Sequence, residues 1–201
     1  MAAYAIALSG GIASGKTAVT ERLQELGAQI LDADQISREV VAPGTSGLKE
    51  ITTRFGPSVL LADGSLDRRA MREHIFASAD ERRALEAIVH PRVREALKRG
   101  ASDRNGIVVL AIPLLVESGH YDWVDRTVMV DARTATQQAR LMQRDKVDAA
   151  LALNMIAAQA PRSRRLAIAD EVLANDGTLA ELQSRVDAAW VDWQAALTRK
   201  H

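Results

Sequence analysis

The sequence predicts an α/β fold built on a parallel β-sheet with helices on both faces. Three observations lead there. Short, uncharged, β-rich runs alternate along the chain with longer stretches whose apolar residues recur at helical spacing. Those runs are apolar throughout, without the in–out alternation of a half-exposed sheet, so both faces must be covered. The first run ends in a glycine pair that leads directly into a helix, which is the start of a β–α–β unit.

Tyr4 to Ser9 is the first buried strand, closed by Gly10-Gly11. A helix follows from about Lys16 to Leu26, with Val19, Leu23 and Leu26 at helical spacing and Gly27 as its stop. Ile30-Leu31 lies in a second short strand that ends in Asp32-Ala33-Asp34, and Pro43-Gly44 is a turn. Leu48 to Arg99 reads as mostly helical, with breaks at Gly56-Pro57 and Asp63-Gly64 and a break or restart at Pro91. Ile107 to Ile112 is the clearest buried strand, Thr127 to Val130 another, and Glu171 to Ala174 a weaker last one. Helices are expected over Thr134 to Arg144, Asp148 to Gln159 and Thr178 to Leu197. Two stretches read as insertions into the sheet scaffold, about 35–100 and 140–165.

With 201 residues, against a typical ~150 per domain, the chain fits one α/β domain with insertions. Lys+Arg and Asp+Glu both number 26, so bulk charge offers no basis for nucleic-acid binding. The seven aromatics are too few for a base-stacking platform. Without cysteine there is no disulfide, thiolate metal site or cysteine nucleophile, which suits a reducing compartment. Met1 to Leu8 is apolar but has no Lys or Arg ahead of it, unlike a signal peptide. The longest apolar run, Ile107 to Val116, contains Pro113 and is short of the ~18 residues of a membrane span. The expectation is a cytoplasmic protein, monomeric or a small homo-oligomer, with neither nucleic acid nor membrane as partner.

Gly10-Gly11-Ile12-Ala13-Ser14-Gly15-Lys16-Thr17 matches G-x-x-x-x-G-K-[ST] between a buried strand and a helix, the context this motif requires. Glycines let consecutive N–H groups turn into one concavity, and the helix N-terminus adds partial positive charge. Lys16 can reach β- and γ-phosphates and the Thr17 hydroxyl can bind Mg²⁺, so ATP with Mg²⁺ is the expected nucleotide.

Such loops serve switches, motors and small-molecule kinases alike. A switch or motor carries a strand-end acid to orient Mg²⁺ and water, yet Ala111-Ile112-Pro113 has none, and no N-K-x-D guanine reader occurs. Carboxylates do appear at the tip of the second strand, where ligands of parallel sheets bind. Asp32 and Asp34, two apart on an extended strand, would point to opposite sides, leaving one of them facing the site. Between Arg133 and Arg165, seven basic residues face two acids, and Arg140 and Arg144 share a helix face. Guanidinium groups on a helical flap suit an arginine finger that closes over a transferring phosphoryl group. Trp190 and Trp193, three apart on the last helix, are assigned to packing.

The strings Ser9 to Thr17, Asp32-Ala-Asp34, His90-Pro-Arg-Val-Arg94, Pro113-Leu-Leu-Val-Glu117, Arg140-Leu-Met-Gln-Arg-Asp145, Ala157-Ala-Gln159 and Ala169 to Gly177 occur in the order seen in dephospho-CoA kinases. The chain resembles that family from Ile6 to about Leu182. The resemblance implies a three-layer P-loop NTPase fold of the nucleoside-kinase type, with a five-stranded parallel sheet, a helical substrate subdomain and a helical lid. It implies transfer of the ATP γ-phosphate to the ribose 3′-hydroxyl of dephospho-CoA. In these terms Asp34, Lys16 and Arg140 are catalytic. Gly11, Ile12, Ala13, Ser14, Gly15, Lys16, Thr17, Arg144, Asn175 and Gly177 hold the nucleotide, and Thr17 the metal. Asp34, His90, Leu115 and Glu117 meet the acceptor. Three positions depart from the family pattern. Ala13 replaces a more frequent glycine, which is tolerated only if φ is not positive there; Val116 stands for phenylalanine and Met155 for arginine. The residues alone leave open a kinase for another small hydroxyl acceptor, or a nucleotide switch.

Overall fold

The computed structural model describes residues 3–119 and 121–200. Five strands form one sheet in the order β2-β3-β1-β4-β5, all neighbours parallel. They are β1 (Tyr4–Gly10), β2 (Gln29–Asp32), β3 (Ile107–Ala111), β4 (Arg126–Asp131) and β5 (Glu171–Ala174). Every residue of β1 and β3 is buried, as their uninterrupted apolar runs require. Parallel pairing sets Leu8 opposite Ala111 and Asp32 opposite Ala111 on the other side, so the carboxyl ends of these strands share one edge.

The chain divides into two compact units, one of residues 1–32 with 100–201 and one of residues 33–99. In the sheet unit, α1 (Lys16–Glu25) and α10 (Leu179–Arg199) pack together, and both contact β1. Ile6, Leu8, Val109 and Val130 meet Val19 and Leu23 from α1 and Leu182, Val186 and Trp193 from α10. Trp193 is fully buried and its Nε1 donates to Glu171 Oε2 at 2.9 Å, so the assignment of this residue to packing holds. The Thr178 hydroxyl accepts from Glu181 N while the Glu181 carboxylate accepts from Thr178 N, a reciprocal cap that starts α10. The same unit carries α6 (Leu115–Ser118), α7 (Thr134–Asp145), α8 (Ala149–Ala157) and α9 (Arg162–Ala167). Asp148 caps α8 by accepting from Leu151 N at 2.7 Å.

The helical unit comprises α2 (Ala33–Glu39), α3 (Ser46–Phe55), a 3₁₀ turn over Pro57–Val59, α4 (Arg68–Ala77) and most of α5 (Ala79–Ser102). Its core is Val41, Ile51, Phe55, Val59, Met71 and Ile88. Thr45 and Asp67 cap α3 and α4 through bonds from Leu48 N and from Arg69 N and Ala70 N. Gly56, at φ 85, ends α3 where the sequence placed a break.

Two expectations are corrected. Pro91 does not interrupt its helix; α5 runs through it for 24 residues. Proline has no N–H for the Ala87 carbonyl one turn back, and the helix tolerates that one missing bond; on the next rung Arg92 Nη1 donates to the Ile88 carbonyl at 2.6 Å. The second strand stops at Asp32, and Asp34 is already helical, so strand alternation does not govern how the two acids are directed.

Candidate active site

The phosphate-type loop connects β1, the central strand, to α1. Ser14 N donates to the Gly11 carbonyl at 3.0 Å, closing a turn. Ala13 at φ 56 and Gly15 at φ 100 both occupy the left-handed region, the alternation that curls successive N–H groups into a concave anion nest. The condition attached to Ala13 is therefore met adversely. A non-glycine residue sits in a conformation costing about 1–2 kcal/mol. Gly15 could not be replaced: its φ is positive, and a Cβ there would strike the Asn175 side-chain amide. Lys16 and Thr17 open α1, where N–H groups have no carbonyl a turn earlier to bond.

Side chains from distant segments hold this loop. The Ile12 N–H donates to Gln159 Oε1 at 2.7 Å, and the Ile12 carbonyl accepts from Gln137 Nε2 at 2.6 Å. Asn175, buried, donates from Nδ2 to the Ser14 carbonyl at 2.7 Å. Arg140 reaches the Ala13 and Ser14 carbonyls at 3.4 Å each and Asn175 Oδ1 at 3.3 Å. Behind the loop, a Cβ on Gly11 would lie 2.6 Å from Gln137 Nε2 and 2.8 Å from Arg165 Nη2, so only glycine lets these side chains close in.

Above the loop lies a cavity of about 730 Å³ bounded by residues 10–18 together with Glu21, Pro113, Arg140, Gln143, Arg144 and Gln159. Three cations, Lys16, Arg140 and Arg144, line it. Arg144 also grips Asp145 through two bonds of 2.7 and 2.8 Å, which holds the Asp145 carboxyl below its ordinary range. Arg165 is buried, and desolvation lowers the proton affinity of its guanidinium against the pull of Asp131 and Glu117. Arg162 forms a bidentate pair with Asp131, its closest bond 2.6 Å.

The other sequence-derived residues fall as follows. Asn175 buttresses the loop. Gly177 is exposed, with the Glu181 carboxylate filling the space a Cβ would need. The neighbouring Asp176 accepts from the Thr136 hydroxyl and Arg133 N, bonds that lower its pKa. Asp32 is the last residue of β2, exposed at the carboxyl edge of the sheet. Asp34 is the second residue of α2, and its side chain is exposed rather than turned into a core. His90 is half-buried on α5 in the helical unit. Leu115 is buried at the start of α6, and Glu117 on the same helix accepts from Ala160 N at 2.8 Å. The loop and the cations Lys16, Arg140 and Arg144 are thus brought together with Asn175.

Sequence reasoning missed Gln137 and the bonding role of Gln159 and Arg165. Gln159 stood in a family-like string and Arg165 in the basic cluster, whereas nothing marked Gln137, 125 residues from its partner.

The residues present fit a polyphosphate: a nest of backbone donors, three cations and room above them. Among the described residues no cluster of three or more His, Cys, Asp or Glu side chains offers a metal cage. The exposed Thr17 hydroxyl fits instead a cation that arrives already held by phosphate oxygens.

A glycine-rich loop leaving the central strand of a five-stranded parallel sheet, bracketed by lysine and arginines, defines a P-loop protein of the kinase type. The dephospho-CoA kinase family model matches residues 4–181. The chain belongs to that family, and it is a kinase. The dephospho-CoA kinase of Xanthomonas campestris pv. campestris is 50% identical over 197 residues, covering 94% of this chain and 95% of that one. Among solved structures, TT1252 from Thermus thermophilus aligns with a TM-score of 0.79 and 30% identity over 96% of this chain and 98% of that one. A dephospho-CoA kinase from Campylobacter jejuni shares the fold, with a TM-score of 0.73 and 23% identity over the same shares of each chain.

Proposed function

We propose that this kinase moves the γ-phosphoryl group of ATP to the ribose 3′-hydroxyl of dephospho-CoA, releasing ADP and coenzyme A, the last step of coenzyme A synthesis. The observation that carries the reading is the clamped phosphate loop with its cations, in a chain matched to the family over residues 4–181. The loop N–H groups and Lys16 bind the β- and γ-phosphates. The Thr17 hydroxyl would hold Mg²⁺, which would supply neutralisation of phosphate charge.

Asp34 accepts the proton of the 3′-hydroxyl as its oxygen bonds to the γ-phosphorus and the bond to the β-phosphate oxygen breaks. That general-base or orienting role is supported by an exposed carboxylate two residues beyond a carboxyl strand end. Arg140 and Arg144 offset charge on the transferring group. Asn175 and Gly177 flank the adenine, and His90, Leu115 and Glu117 contact the acceptor. The helical unit receives the acceptor, and the segment around 140–165 closes as a lid that excludes water and prevents wasteful hydrolysis. The reaction runs in the cytoplasm; among the described residues no helix is long and apolar enough to cross a membrane.

ADP release measured across dephospho-CoA, adenosine and sugar acids tests this. Turnover that depends on dephospho-CoA is expected. Equal or faster turnover with another acceptor supports a different small-molecule kinase, and slow hydrolysis indifferent to any acceptor supports a switch; either result overturns the reading.

A further inference from the structure

We infer that Gln159 is a binding residue for the terminal phosphate of the donor nucleotide, and that it fixes the loop through the same side chain. The inference rests on the donor-nucleotide reading of the loop and extends it to a residue in the connection between α8 and α9.

A primary amide has one accepting end and one donating end. In Gln159 the accepting end is committed, because the Ile12 N–H is a donor and only Oε1 can face it at 2.7 Å. The Nε2 group is thereby turned away from the loop backbone. No protein acceptor for it is found among the described residues, and Gln159 borders the cavity together with Lys16, Arg140 and Arg144. Because Gln159 lines this cationic, loop-floored cavity, its half-buried amide donor has the chemistry to meet a phosphoryl oxygen there.

The backbone beside it is tied down. Ala160 N donates to Glu117 Oε1 at 2.8 Å, and the Ala160 carbonyl accepts from Arg165 Nη1 at 2.5 Å. On the far side, Gln137 holds the Ile12 carbonyl. With its N–H already used, Ile12 presents no backbone donor to phosphate. Gln159 substitutes for it, placing a donor one side chain further from the loop floor. That displacement selects the outermost phosphate. A nucleoside triphosphate would use the contact and a diphosphate would not.

The test compares the full-length chain with Gln159→Glu and Gln159→Leu by titrating ADP and a β,γ-imido ATP analogue in Mg²⁺ buffer. Gln159→Glu keeps an oxygen for the Ile12 N–H but removes the outer donor; Gln159→Leu removes both. Expected is a loss of about tenfold or more in analogue affinity in both variants, as for a hydrogen bond to a charged group, with ADP affinity within twofold of the original in Gln159→Glu, which keeps the loop contact. Gln159→Glu should also retain the original melting temperature while kcat for transfer to dephospho-CoA falls. An unchanged analogue-to-ADP ratio in both variants overturns the inference, and so does an equal loss for both nucleotides, which would mark a purely structural contact. If the unaltered chain discriminates by Gln159 yet forms no ADP with dephospho-CoA, the acceptor reading fails and this inference stands.

Discussion

The sheet unit and the helical unit are held together by different means. Around the phosphate loop, the deciding bonds are long in sequence and run from side chain to backbone: Gln137 to Ile12, Gln159 to Ile12 and Asn175 to Ser14 span 125 to 161 residues. In the helical unit most polar side-chain bonds are local, joining residues within a turn of each other, as at Thr45, Asp63 and Asp67, laid over one apolar cluster. The difference follows the task. A loop that binds charge needs donors fixed in direction, which only rigid partners provide. The acceptor-binding task proposed for the helical unit asks only for a stable core with a variable surface.

The comparison breaks first at the cores. Trp193→Ala in the sheet unit should cost about 3–5 kcal/mol and weaken nucleotide binding with it. Ile51→Ala in the helical unit should cost about 2–5 kcal/mol, lowering acceptor-dependent turnover while nucleotide affinity stays within twofold. Denaturant unfolding with parallel nucleotide titrations reads both, and matched losses of nucleotide affinity would erase the distinction. A smaller effect sharpens it. Asn175→Ala takes from the Ser14 carbonyl its shorter bond and from Arg140 one partner, a loss of about 1–3 kcal/mol, seen as a raised KM for ATP. The smallest has the opposite sign. Ala13→Gly relieves the left-handed strain and should raise stability by about 1 kcal/mol in thermal unfolding.

What the sequence made legible follows the range of the interactions. The phosphate loop is a contiguous string whose chemistry depends on residue type, so its place and direction were readable, as were the five strands from their apolar runs. The reversal of φ at Ala13 was posed as a condition, and only coordinates could decide it. Gln137 was invisible because its meaning lies in a partner 125 residues away. Pro91 misled because one missing backbone bond does not end a helix of 24 residues whose other turns are intact. The helix Arg162–Ala167 went unread since Arg-Ser-Arg-Arg carries no apolar period. The sequence pattern put Asp34 at the tip of a strand, whereas it is the second residue of a helix, a difference that changes how its carboxylate is directed.

The central claim is that a carboxylate just past the second strand acts on the acceptor while the loop and the side chains around it secure the donor. The Asp34→Asn variant tests it most directly, with kcat for dephospho-CoA and ATP affinity measured on the same preparation. The account predicts a fall in kcat of about 100-fold or more with ATP affinity within twofold. Turnover close to that of the unaltered chain would contradict it.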